Sequence, residues 1–197
     1  MKEKTVWQKL LGTWNTRTIV GVAIGAALFG VLLDYAGIKV AVNTSLSPAF
    51  IIPAIVGGLF GPLPAGLACG LGNVFGDLIG GWGFWFDWAC GNFVAGFFAG
   101  LFVLFGADIE NGIFEAKHAI IYAILCIVGC ALGFGVVTPV LTYAWYSSEL
   151  TITWIQAEAA IISDASVMII LGIPVLYALA KRNARATNLV KEDDDKE

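Results

Sequence analysis

A chain of 197 residues that is 58% hydrophobic and only 13% charged, with a mean hydropathy of +0.82, lies far from the half-apolar, quarter-charged balance of soluble domains. That balance excludes a water-facing globular surface and leaves a bilayer as the solvent. A hydrocarbon core about 30 Å thick needs roughly 20 apolar residues per helical crossing, so the chain can supply about six crossings with short loops and no separate soluble domain.

The net charge of −4 is concentrated rather than general, because Glu192, Asp193, Asp194, Asp195 and Glu197 form one C-terminal run that reads as a solvated acidic tail. Met1 to Trp14 is basic and amphipathic and shows no cleavage site of a signal peptide, and segment 1–17 as a whole carries Lys2, Lys4, Lys9 and Arg17. The first apolar run, Thr18 to Tyr35, follows these cations, and the excess of positive charge places the N-terminus in the cytoplasm. Gly37 to Ser47 reads as a polar-leaning outer loop, and Pro48 suits the first turn of a short second helix that ends near Phe60. Gly61-Pro62-Leu63-Pro64 reads as a tight inner turn, Ala65 to Ile79 as a third helix, and Gly80-Gly81-Trp82-Gly83 as its outer break.

A fourth helix is expected from about Phe86 to Phe105, and a fifth from His118 to Tyr146 with a kink at Pro139. The sixth, Thr153 to Ala180, ends in Lys181, Arg182 and Arg185, which places the C-terminus in the cytoplasm as well. The expectation is an all-α membrane bundle of six transmembrane helices over residues 18–182, with both termini cytoplasmic, preceded by segment 1–17 and followed by an acidic tail over 183–197. The location is the cell membrane, with lipid as a partner.

An ionisable side chain at membrane depth is costly, so its position points to function. Under this topology nearly all of them fall at the outer end: Asp77 ends the third helix, Asp87 begins the fourth with Asn92 below it, and Glu158 and Asp164 lie in the outer half of the sixth. Trp82, Trp85, Trp88, Tyr143 and Tyr146 surround them, with Trp145, Trp154 and, on the first outer loop, Asn43 and Thr44. Aromatic walls with a few acceptors suit a flat, nitrogen-bearing ligand held by stacking, cation–π attraction and charge-assisted hydrogen bonds. Tryptophan and tyrosine also gather at membrane interfaces whatever the ligand, whereas such belts do not require acids. Asp34 reads as a surface charge at a helix end.

The cysteines Cys69, Cys90, Cys126 and Cys130 lie in apolar stretches and act as small hydrophobes, so neither metal nor cofactor is expected. His118 is the only histidine, and no acid, base and nucleophile set can be drawn around it. The chain carries no GxxxxGK[ST] phosphate loop, so it is not expected to be an enzyme that hydrolyses ATP, and energy, if needed, must come from elsewhere. Nothing points to nucleic acid.

In the first helix, Thr16-Arg17-Thr18-Ile19-Val20-Gly21-Val22-Ala23-Ile24-Gly25-Ala26-Ala27-Leu28 presents small residues on two sides. Together with Phe60-Gly61-Pro62-xxx-Ala65-Gly66 leading into Gly72-Asn73-xxx-Gly76-Asp77, this segment resembles the substrate-specific S components of the energy-coupling factor (ECF) transporters, over about Thr16 to Arg182. The closest resemblance is to members of the riboflavin, thiamine and hydroxymethylpyrimidine type. It implies a subunit that captures a vitamin or related small heterocycle at the extracellular face. A transmembrane coupling subunit and two cytoplasmic ATPase subunits would then deliver the ligand inside. Ala23-xxx-Ala27, with Gly21 and Gly25, is similar to the family's docking motif for the coupling subunit, and Asp87-Trp88 to the acidic–aromatic pair that holds an aminopyrimidine in thiamine-type members. A stand-alone carrier or channel is the alternative. It would need acids continuing along a path to the inner side, where this sequence has almost none.

Overall fold

The computed structural model describes residues 5–41, 44–146 and 150–194. Seven helices and one hairpin account for nearly all of these residues. A short α1, Val6–Leu11, is closed by a reciprocal cap between Thr5 and Gln8 and leads into α2, Thr16–Tyr35, capped by the Asn15 side chain. The stretch read as an outer loop instead pairs Ile38–Ala41 (β1) antiparallel with Thr44–Leu46 (β2). The Ser47 hydroxyl then donates to the carbonyl of Leu32 at 2.8 Å, and its oxygen accepts from the Ala49 amide, so one side chain fixes the hairpin base to α2 and starts α3, Pro48–Phe60.

Gly61, with φ of 103°, takes the only sharp step between α3 and α4, Pro62–Ile79. The helix therefore begins three residues before the expected Ala65, because prolines in a first turn forfeit only amides that have no helical partner. After the turn at 80–85 come α5, Phe86–Phe105, then α6, Ala116–Tyr146, and α7, Leu150–Asp194. The kink expected at Pro139 is absorbed just before it. Residues Gly133–Val137 form a π-helical turn, in which the Thr138 amide reaches back to the carbonyl of Gly133. The last helix runs on through Asp194, so the stretch read as a tail is helical that far.

Four helices, α2, α5, α6 and α7, are long and apolar enough to cross a bilayer. α3 is shorter, and α4, 18 residues long, is interrupted by Asn73 and Asp77. α4 is the axis of the bundle. Gly66 and Gly70 on one side admit Phe93 of α5, while Gly72 and Gly76 on the other meet Ala26, Phe29 and Gly30 of α2, close approaches that small residues allow. Phe29, Phe50, Phe102, Tyr122 and Phe134 fill the interior, and isoleucines cover the outside: Ile120 is 63% exposed and Ile162 70%. An exterior of isoleucine around an interior that holds the buried aspartates inverts the arrangement of a water-soluble protein and is consistent with a membrane bundle.

Candidate functional site

The elements alternate in direction, so the C-terminal ends of α2, α4 and α6 meet the N-terminal ends of α3, α5 and α7, with the hairpin beside them. A cavity of about 510 Å³ opens among these ends. Its lining includes the aromatic residues Phe50, Trp82, Trp85, Trp88 and Phe134 and the carboxylates Asp34, Asp77, Asp87 and Asp164. The dimensions suit a small organic molecule.

Asp87 sits in the first turn of α5, where a negative charge complements the helix dipole, yet it is completely buried. Two threonines one turn apart on α6 hold it there: Thr142 donates its hydroxyl to Oδ2, and Thr138 donates to the Asp87 carbonyl at 3.2 Å. The other carboxylate oxygen, Oδ1, is buried without a hydrogen-bond partner.

A second group of polar side chains crosses from α5 to α4. Asn92 donates to Asn73 Oδ1 at 2.5 Å and to the Trp88 carbonyl at 3.1 Å, and Asn73 donates in turn to Asp77 Oδ2 at 2.8 Å. The same oxygen of Asp77 accepts the Trp85 amide at 3.3 Å, which pins the turn at 80–85 over the cavity. Asn92 is 4% exposed, and its Oδ1 has no partner either. At the α2 edge, the Trp82 indole donates to Asp34 Oδ1 at 3.2 Å and leaves Oδ2 buried and unpaired. Asp164 closes the α7 side, 5% exposed, with one donor in the Ser163 hydroxyl at 2.9 Å.

Seven of the residues read from the sequence thus line one cavity: Asp77, Trp82, Trp85, Asp87, Trp88, Asn92 and Asp164. Tyr146 stands behind it, its ring tilted 54° against Trp85 with centroids 5.1 Å apart and its hydroxyl accepting the Phe86 amide at 3.2 Å, which ties the end of α6 to the start of α5. Tyr143 is 64% exposed on the outside. Glu158 lies on the exposed face of α7 with Ile155 and Ile162, turned away from Gln156, Ala160 and Asp164, which line the cavity. Thr44 opens β2, and Asn43 lies outside the described residues. Asp34, read as a surface charge, is a cavity residue, as are Asn73, Thr142 and Lys39. The spacing of Asn73 and Asp77, four apart on one helix face, was the readable signal for the first of these.

The family model of the ECF-type riboflavin transporter S component matches residues 13–181. The chain belongs to this family. A UPF0397 protein of Aliivibrio fischeri (strain MJ11) is 34% identical over 179 residues, covering 90% of this chain and 97% of the relative. A UPF0397 protein of Vibrio vulnificus (strain YJ016) is 33% identical over 179 residues, with 90% and 98% covered. No solved structure matches.

In this S component the proposed docking segment divides between two faces of α2. Ala23 and Ala27 are exposed beside Ile19, Ile24 and Leu28, whereas Gly25 is buried against Val56, Ala68 and Ile52, and Gly21 meets Phe60. At the opposite end of the bundle from the cavity, Arg17 at the start of α2 pairs with Glu110 at 2.8 Å, and Asn183 of α7 donates to the Ile109 carbonyl at 2.9 Å.

Proposed function

We propose that this chain is the substrate-binding subunit of an ECF-type importer, capturing a vitamin-like small heterocycle in the cavity between the hairpin and the turn at 80–85. The observation that carries this reading is the buried acceptor set of a family member: Asp87 Oδ1 and Asn92 Oδ1, unpaired beside tryptophan walls. An unpaired buried acceptor costs about 1–3 kcal/mol, a cost that a ligand with N–H or O–H donors would relieve.

The topology proposed is six spans, with α3 and α4 as short crossings in the middle of the bundle, both ends cytoplasmic and the cavity facing outward. Cations at both ends of the span region, Lys9 and Arg17 before α2 and Lys181, Arg182 and Arg185 late in α7, support that orientation. Residues 18–182 are then the membrane domain, between segment 1–17 and the C-terminal stretch 183–197. The chain has no phosphate-loop motif, so the ATPase pair and the coupling subunit would supply the energy, with Ala23 and Ala27 on the docking face.

The test is native mass spectrometry of the detergent-purified chain, followed by thermal shift against a vitamin panel. A retained heterocycle of a few hundred daltons is expected. An empty protein with no shift for any vitamin would reject the reading in favour of a stand-alone carrier.

A further inference from the structure

At the end of the bundle opposite the cavity, α1 packs on α4 and on residues 101–105 at the end of α5, so it lies across that end. Its seat is made by backbone: a Cβ on Gly61 would stand 2.7 Å from the Lys9 carbonyl oxygen, and one on Gly12 2.6 Å from the Phe60 carbonyl oxygen. A helix of six residues does not hold itself in water, and here the reciprocal cap between Thr5 and Gln8 and this seat hold it. None of its side chains is buried. At about 100° per residue, Val6, Trp7, Leu10 and Leu11 fall within about 140° of its circumference, with Gln8 and Lys9 on the other side. Trp7 is 71% exposed and Val6 67%. Trp14 follows, 45% exposed, its indole donating to the Leu11 carbonyl at 2.9 Å. The fold thus keeps a helix whose apolar side chains do not serve its own core.

We infer that α1 and the turn at Trp14 form an in-plane anchor that binds the anionic headgroups of the adjoining lipid leaflet, whatever ligand the cavity takes. Trp7, Leu11 and Trp14 enter the boundary between headgroups and acyl chains, and the lysines meet the phosphates. Charge and depth both favour lipid as the occupant. Segment 1–17 sets Lys2, Lys4, Lys9 and Arg17 against one acid, Glu3, in a chain whose net charge is −4. Arg17 pairs with Glu110, so the lysines supply the excess that an anionic surface attracts. α2 begins at Thr16, and Ile19, about 5 Å further along its axis, already belongs to the exposed apolar exterior. The tryptophans of 7 and 14 therefore stand at the edge of the hydrocarbon, where an indole is most at home.

The test uses the full-length chain in two kinds of nanodisc, phosphatidylcholine alone and phosphatidylcholine with about a third phosphatidylglycerol, each with and without lipid brominated near the headgroup. Subtracting the emission of Trp7→Phe from that of the unmodified chain isolates the Trp7 indole. Brominated lipid is expected to quench that difference emission at least twofold in the anionic discs and clearly less in the neutral ones. The gain from phosphatidylglycerol should vanish in the double variant Lys4→Glu/Lys9→Glu. It should vanish equally for the unmodified chain in about 0.5 M salt, where screening confines charge attraction to about 4 Å, and this arm decides the matter if the double variant does not fold. Quenching of Trp7 by aqueous acrylamide but by neither brominated disc would overturn the anchor. Equal quenching in the two kinds of disc would overturn the recognition of anionic headgroups. Shielding of Trp7 only when a coupling subunit is co-purified would give this face to a protein partner and overturn the lipid assignment.

Discussion

Thr142 on α6 donates its hydroxyl to Asp87 on α5, and this contact leaves the second oxygen of a fully buried, cavity-lining carboxylate without a partner. The threonine fixes the orientation of the carboxylate and also holds two helices together. Thr142→Val keeps the volume and removes the donor, so a buried acceptor loses its partner at a cost of about 1–3 kcal/mol. The ligand-free protein should melt at a lower temperature in detergent, and ligand affinity should fall at least fivefold, with Thr142→Ser restoring both. An unchanged affinity in the valine variant would mean that Asp87 is not positioned by this bond.

Two acids on α7, six residues apart, should behave in opposite ways. Asp164 lines the cavity and Glu158 faces outward. Asp164→Asn is expected to change ligand affinity about tenfold, and Glu158→Gln by less than twofold, both read by titration on the same preparation. The reverse order would place the ligand elsewhere on α7.

The helix boundaries were legible because glycine, proline and charge punctuate apolar runs clearly; α2 and α6 each begin within two residues of the sequence reading. The hairpin was not recognised, although Ile38, Val40 and Val42 alternate as a strand requires, because the segment is short and its ends read as polar. Side-chain direction was the larger gap. In a soluble helix the apolar stripe marks the inside, but lipid is as apolar as a protein core, so the outward face around Ile155 and Ile162 looks the same in sequence as an inward one. That is why Glu158 and Asp34 could not be sorted by pattern, whereas Asp87-Trp88, adjacent to the aromatic turn, falls at the end of the bundle where the cavity opens.

Close approach of α2 to α4 makes a sharper demand on particular glycines. A Cβ at Gly30 would lie 2.7 Å from the Gly72 carbonyl oxygen and 2.8 Å from the Gly76 nitrogen, both backbone atoms that cannot rotate away. Gly30→Ala is therefore expected to destabilise the bundle by about 1–3 kcal/mol through overpacking. Gly135 is the control, since a Cβ there meets only the end of Ile161 at 3.4 Å, so Gly135→Ala should leave the melting temperature nearly unchanged. Thermal unfolding of the two variants side by side checks the contrast, and equal melting temperatures would show that α2 and α4 sit further apart than described.

The division of α2 into two faces separates folding from coupling. Gly25 is buried, so Gly25→Trp should abolish folding and expression together. Ala23 and Ala27, on either side of it in the same helix, are exposed. Ala23→Trp and Ala27→Trp are expected to retain ligand affinity within twofold and to melt normally. In cells with the ATPase and coupling subunits, the same variants should lose nearly all uptake, because a large ring prevents close helix approach by a partner. Co-purification of the coupling subunit with the tagged chain reports the same loss directly. Full uptake with normal binding would move the docking surface to another exposed stripe, of which Ile120, Ile124 and Ile127 on α6 form the nearest equivalent in apolar character.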